Sequence, residues 1–374
     1  MRAIRAKELY DGTTLKRDVY VTFEERIIGI TDKKPDCEIL GEGVLTPAFI
    51  DGHCHIGLDR AGEPSNEGEA NDELAEFLPL NRAIDSVYMD DPSFADSVEH
   101  GVLYAQVMPG SGNIIGGRTC LIRNWERSVK RAFVRDIGMK AALGYNPRST
   151  REWKGERQTT RMGAIGLLRR ELYKAKKAEV LIKQGKRSIE ETDPVTEGMI
   201  ELLRGMPMMV HVHKSDDIDT MMAVAAEFGL RVVANHCGDV FEESTWRALK
   251  DANIPVIYGP IDSFSYKVEL KHNTWKNVES LMAVNPMFGL MTDHPVILQR
   301  DLFLQLRHFL RFGMSRERAM GVITRNNAEI LGLAELGTVE EGRLASMVLW
   351  NDDPFVLGNH PTLCIGEGNI VYEE

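Results

Sequence analysis

The chain has 374 residues, is 43% hydrophobic and 27% charged, and carries a formal net charge of −11. The composition is that of an ordinary globular protein, and the acidic balance argues against nucleic acid or an anionic membrane surface as the main partner. No apolar run approaches the ~20 residues needed to cross a bilayer, and Met1–Ala6 lacks the apolar core of a signal peptide, so a cytoplasmic protein is expected.

The first 46 residues read as a short β meander. Ala3–Ala6 is a strand, Asp11-Gly12 a turn, and Asp18–Phe23 with Arg26–Ile30 a hairpin. The apolar run Leu45-Thr46-Pro47-Ala48-Phe49-Ile50 then ends in Asp51-Gly52, and His53-Cys54-His55 follows. On a strand, residues at i and i+2 share a face. His53 and His55 would therefore offer two neutral imidazoles side by side, half of a divalent-metal site.

From there, short apolar strands alternate with helical stretches. The strand candidates are Leu103–Met108, Lys140–Gly144, Met208–His213, Arg231–His236, Pro255–Tyr258 and Phe288–Asp293. Helices are expected at Ser215–Glu227, Ser315–Ile323 and Asn327–Leu331. The charged stretch Arg169–Glu191 reads as a solvated helix and its exit. Repeated strand–helix units imply a parallel sheet. At the far end, Ala345–Trp350 is a strand, and Cys364-Ile365 pairs with Asn369–Tyr372. The predicted architecture is an α/β (β/α)8 TIM-like barrel over 47–333. A small β-sandwich domain, built from 1–46 and 334–374, accompanies it.

Gly112 to Thr119 has the spacing of a phosphate loop, with Arg118 in place of lysine. Cys120–Arg123 after it reads as strand, whereas a phosphate loop needs a helix N-terminus there. A glycine-rich active-site loop is expected instead, with Arg118 available to clamp a substrate carboxylate. Lys214, Arg148 and Arg161 are further candidates for that task. The five cysteines are scattered and form no Cys-x-x-Cys pair, so neither a disulfide framework nor a structural zinc site is expected.

The polar residues at the strand ends are His53, His55, His211, His213, His236 and Asp293. A closed ring of parallel strands would bring them to one mouth, where barrel enzymes do their chemistry. Nitrogens plus a carboxylate suit a catalytic divalent metal with a position open to water.

Together these segments resemble the amidohydrolase superfamily, in its imidazolonepropionase-related branch. Thr46–His55 is similar to that family's first barrel strand, Val210–His213 to its fifth, Asn235-His236 to its sixth and Thr292–Pro295 to its eighth. Asn326–Leu333 and Gly342–Trp350 resemble its closing helix and its return to the small β domain. The resemblance implies that His53, His55 and Asp293 hold the more buried metal. His211 and His236 then face a second metal, complete the shell or position substrate. His213 is an alternative ligand on the same strand face, or a substrate contact beside Lys214. Asp293 would act as general base on a metal-activated water and return the proton to the leaving nitrogen.

The implied reaction is hydrolysis of a C–N bond in a small amide or cyclic amide. A deaminase on the same fold and a non-catalytic scaffold are the alternatives. Zinc suits the nitrogen-rich ligands, with iron and manganese open. Many relatives bridge two metals with a carboxylated lysine or a glutamate. The segment Ala142–Pro147 offers Tyr145 instead, a poor bridge at neutral pH, so one metal is expected over two. The Tyr145 hydroxyl is a candidate oxyanion donor. The resemblance also suggests a homodimer. Specificity is expected in the loops Asp59–Asn81 and Asn146–Arg161, which do not reveal the substrate.

Overall fold

The computed structural model describes residues 1–149 and 158–374, with the side chain of Ser149 excluded. Residues 150–157, and with them part of the expected specificity loop Asn146–Arg161, lie outside the described residues.

Two sheets organise the chain. The first contains β1 (Arg2–Tyr10), β2 (Leu15–Phe23), β3 (Ile27–Thr31) and β4 (Glu38–Pro47) from the start of the chain. Its remaining strands, β13 (Met347–Trp350), β14 (Pro361–Gly366) and β15 (Asn369–Glu373), come from the end. They form one seven-stranded sheet in the order β15-β14-β13-β4-β1-β2-β3. β13 pairs with β4 in antiparallel register, Met347 opposite Pro47, and this pairing joins the two ends of the chain.

The second sheet has eight strands in strict sequence order. These are β5 (Phe49–Cys54), β6 (Val102–Val107), β7 (Ile115–Arg123), β8 (Phe133–Ala142), β9 (Met208–Val212), β10 (Val232–His236), β11 (Val256–Tyr258) and β12 (Phe288–Leu290). β5, β9, β10, β11 and β12 are buried along their whole length, as strands covered on both faces must be, which explains their almost unbroken apolar runs. Helices cover the outside. Arg161–Lys183 is capped by Thr160, whose hydroxyl accepts from Gly163 N at 3.0 Å. This helix is not simply solvated: Leu168, Leu172 and Ala175 are fully buried. Ser215–Phe228 begins with Lys214 at its cap position and ends at Gly229 with φ 68°.

One strand departs from the all-parallel pattern. β7 runs antiparallel to both β6 and β8. The links at 108–114 and 124–132 are too short for the crossover of a dozen or more residues that a parallel neighbour requires. The segment expected as a glycine-rich loop is thereby split. Gly116, Gly117, Arg118 and Thr119 are strand, and Pro109–Ile114 is the turn before it.

The ring closes between β12 and β5. His55 N donates to His294 O at 2.9 Å and Asp293 N to His53 O at 3.0 Å. The fully buried Asp51 carboxylate accepts from His53 N (3.2 Å), Thr292 N (3.1 Å), the Thr292 hydroxyl and Gln299 Nε2 (3.0 Å). Asn327, from the closing helix Arg325–Ile330, donates its amide to Ile50 O (2.6 Å) and Leu290 O (2.8 Å), one acceptor on each side of the seam. Gly289 has no Cβ for a reason: one built there would lie 1.7 Å from Asn327 Oδ1. Replacing Asn327 with leucine should therefore cost about 2–4 kcal/mol, because two buried carbonyls lose their donors. Urea unfolding checks this, and a loss under about 1 kcal/mol would mean that the seam does not depend on this residue.

Candidate metal centre

The C-terminal ends of the parallel strands meet at the barrel mouth, and the side chains there form two groups of three. His53, His55 and Asp293 make one; His211, His213 and His236 make the other. Within each group the candidate ligand atoms lie within 4.8 Å of one another. Asp293 Oδ1 is 3.4 Å from His53 Nε2 and 3.2 Å from His55 Nε2. The groups touch through His236, whose ring centroid is 4.8 Å from that of His53 and 4.4 Å from that of His211.

Backbone geometry aims these side chains. His236 (φ 75°) and Asp293 (φ 52°) sit in the left-handed region, uncommon for residues with a Cβ although histidine and aspartate enter it more readily than most. Such conformations cost about 1–3 kcal/mol each and persist where the surroundings enforce them, most often at working sites.

Neighbouring acceptors then set which nitrogen faces inward. His55 Nδ1 lies 2.8 Å from Met108 O, and His236 Nδ1 3.0 Å from Gly259 O. A carbonyl only accepts, so in both rings Nδ1 carries the hydrogen and Nε2 turns its lone pair to the mouth. Four ring nitrogens, on His53, His213 and His236, are buried with no hydrogen-bond partner among the described residues. Burial first, and nearby cationic groups second, push the pKa values of His53, His211, His213 and His236 well below the usual histidine range. Burial alone would raise the Asp293 carboxyl, but the charges around it, that of Lys140 among them, hold it at about 2. Neutral imidazoles with unused lone pairs beside an ionised carboxylate are the donor set a divalent cation requires, so the residues fit a metal.

A residue that sequence reasoning did not single out reaches the first group. Lys140 of β8 is fully buried, and its Nζ is 3.2 Å from His53 Nε2. Its long side chain rises from one layer deeper, where the register pairs it with Met209. Burial lowers its ammonium pKa to about 7. The segment Ala142–Pro147, where Tyr145 stands in the bridging position, lies just beyond Lys140 on the same strand end. The missed signal was a lysine inside an otherwise apolar, buried strand end.

The other expected residues are placed as follows. Tyr145 stands just past β8, half-buried, with its backbone N donating to Glu269 Oε2 at 2.8 Å. His213 joins the second group, and Lys214 follows it at the head of the next helix. Arg118 is not brought to the cluster. It pairs with Met139, on the strand face opposite Lys140, and its guanidinium donates to Glu201 at 2.6 Å beside Asp136 at 3.8 Å. Arg161 is held by Asp217 at 2.7 Å, and Arg148 donates to Gly144 O at 2.6 Å. Cys54 and Cys237 are buried with thiols pushed far up by desolvation, as packing residues would be.

Two loop residues also reach the site. Ser111 Oγ lies 2.9 Å from His211 Nδ1, and the buried Glu269 reaches His211 Nε2 at 3.1 Å. The turn carrying Ser111 is held by the 59–81 loop: Asn71 Oδ1 accepts from Gly112 N at 2.7 Å, and Ala70 O from Gly110 N at 2.6 Å.

Comparison with known proteins gives the family and the fold. Residues 175–371 match the model of the Amidohydrolase family. Amidohydrolase tasK of Hapsidospora irregularis is 23% identical over 392 residues; the match covers 93% of this chain, which spans only 39% of that protein's length. The imidazolonepropionase of Thermoplasma acidophilum is 21% identical over 356 residues, covering 90% of this chain and 83% of that one. Among solved structures, an amidohydrolase from Thermotoga maritima superposes with a TM-score of 0.92 at 29% identity, over the whole of both chains. No described helix is long and apolar enough to cross a membrane.

Proposed function

The chain belongs to the amidohydrolase family, and from that membership we propose a metal-dependent hydrolase that cleaves a C–N bond in a small amide or cyclic amide. One observation carries the reading: six candidate ligands from four separated stretches of sequence converge around Lys140 at the barrel mouth, with ring nitrogens otherwise unpartnered. His53, His55 and Asp293 would hold one divalent cation, and His211, His236 and His213 a second. Lys140, as the carboxylated amine known among relatives, would serve both. Nitrogen-rich ligands favour zinc. When bound, the metals would supply Lewis acidity to a water molecule and to the scissile carbonyl.

The protein's own residues handle the proton. Asp293, ionised at neutral pH, is held beside His53 and His55 by its left-handed backbone. Its free carboxylate oxygen takes the proton lost by the attacking water and passes it to the departing nitrogen. His236, held by Gly259 O, and the Tyr145 hydroxyl are the candidates to steady the carbonyl oxygen as charge develops there. His213 and Lys214, at the end of β9, line the approach for substrate.

Screening small amides, cyclic ureides and aminated rings tests the reaction class. A new carboxylate identifies the hydrolase, and free ammonia with a new ring carbonyl identifies the deaminase. The double variant His53→Ala/His55→Ala should lose turnover of whichever substrate responds; retained turnover would sink the metal reading.

A further inference from the structure

We propose that Glu269 is a positioning residue for His211: it fixes the ring as the Nε2–H tautomer, so that Nδ1 is the nitrogen offered to the metal group. This rests on the metal reading only for its consequence, since the tautomer is a property of the metal-free chain.

Glu269 lies in the short turn Val268–Leu270 after β11, and its side chain is 2% exposed. Oε1 is 3.1 Å from His211 Nε2 and also accepts from Lys267 Nζ at 2.8 Å, while Oε2 accepts from Tyr145 N at 2.8 Å. An ionised carboxylate only accepts, so the ring nitrogen that faces it must carry the hydrogen. At the other nitrogen stands the Ser111 hydroxyl, which can donate as well as accept and therefore adapts. Glu269 decides the tautomer and Ser111 follows.

His211 is thereby turned opposite to its neighbours. His55 and His236 are fixed at Nδ1 by backbone carbonyls and present Nε2. His211 is fixed at Nε2 by a side chain and presents Nδ1. The chain is built to admit that carboxylate. Gly144, at φ 83°, carries no side chain where a Cβ would come within 2.8 Å of Glu269 Oε2. Lys267, nearly buried, balances the charge in a dry site. Around these two, Tyr266 and Val268 point outward, 57% and 60% exposed. The same loop thus orients a candidate metal ligand.

The test is long-range ¹H–¹⁵N correlation on the full, metal-free chain with labelled histidine rings, His211 being assigned by its loss in His211→Asn. Wild type should show His211 as Nε2–H. Glu269→Ala should bring a mixture with Nδ1–H. Glu269→Gln, which keeps the shape, should do the same, because its amide cannot accept from both His211 and Tyr145 N. Lys267→Met should leave the tautomer unchanged. A chelator competition with zinc gives a second readout, with Glu269→Ala holding the metal about 10–100-fold less tightly. His211 found as Nδ1–H in wild type, or unchanged in the folded Gln variant, overturns the assignment. A wild type with the expected tautomer but no affinity for zinc supports it and sinks the metal reading alone.

Discussion

Asp293→Asn is expected to lower kcat/KM by about 10³–10⁴-fold, the upper range for losing a general acid–base, while the chain still folds. The amide keeps the size and one acceptor oxygen, but it cannot take up a proton at neutral pH. Among the described residues Asp293 is the one carboxylate within 3.5 Å of both His53 and His55, and it is ionised at neutral pH. The seam survives the change, because it uses Asp293 through its backbone N, not its carboxylate. Ligand binding by the variant separates two accounts. An enzyme loses turnover and keeps substrate affinity; a non-catalytic scaffold, having no turnover to lose, would bind the same compounds equally before and after. A fall of less than tenfold in an active protein would remove Asp293 from the proton path.

Lys140→Met should separate function from stability. Methionine is as long and as apolar as the surroundings require, whereas the lysine head group is fully desolvated. In the metal-free, uncarboxylated protein stability should therefore stay level or rise, since a buried amine with no paired carboxylate among the described residues is a cost to the fold. Activity should fall by about 10³-fold, the equivalent of the several kcal/mol of charge stabilisation a metal contributes. Bound metal should drop alongside it. Thermal melting of the metal-free proteins, with turnover and metal content of the loaded ones, checks all three. A variant that melts much earlier and keeps its activity per folded molecule would make Lys140 a structural residue. Intact-mass measurement under carbon dioxide adds a direct check: wild type should carry the mass of one added CO2, absent from the variant.

The histidines were legible because they sit at the ends of strands, where a period of two and a shared barrel mouth turn a local pattern into a site. His53 and His55 declare their common face within three residues. His211, His236 and Asp293 each close an apolar run. Glu269 and Ser111 were not legible, because a loop of no regular period decides where their side chains point. Lys140 lies between these cases. Its strand was recognised, and a lysine among Gly138, Met139, Ala141 and Ala142 was a visible anomaly. The reach of its side chain, from one layer below the expected bridge, was not. Arg118 misled for a related reason. Glycines around it suggested a loop, but the short links on either side force β7 into an antiparallel strand. That pairing turns Arg118 to the helix layer and to Glu201. The antiparallel insertion is itself a matter of link length, which apolar periodicity does not report.

The central claim is that the two histidine groups around Lys140 hold divalent metal. It is tested most directly by plasma mass spectrometry on protein purified without chelator, beside His53→Ala/His55→Ala. The account predicts about two equivalents per chain, chiefly zinc, with a loss of at least one in the double variant. No metal in wild type after zinc is supplied, or undiminished metal in the double variant, would contradict it.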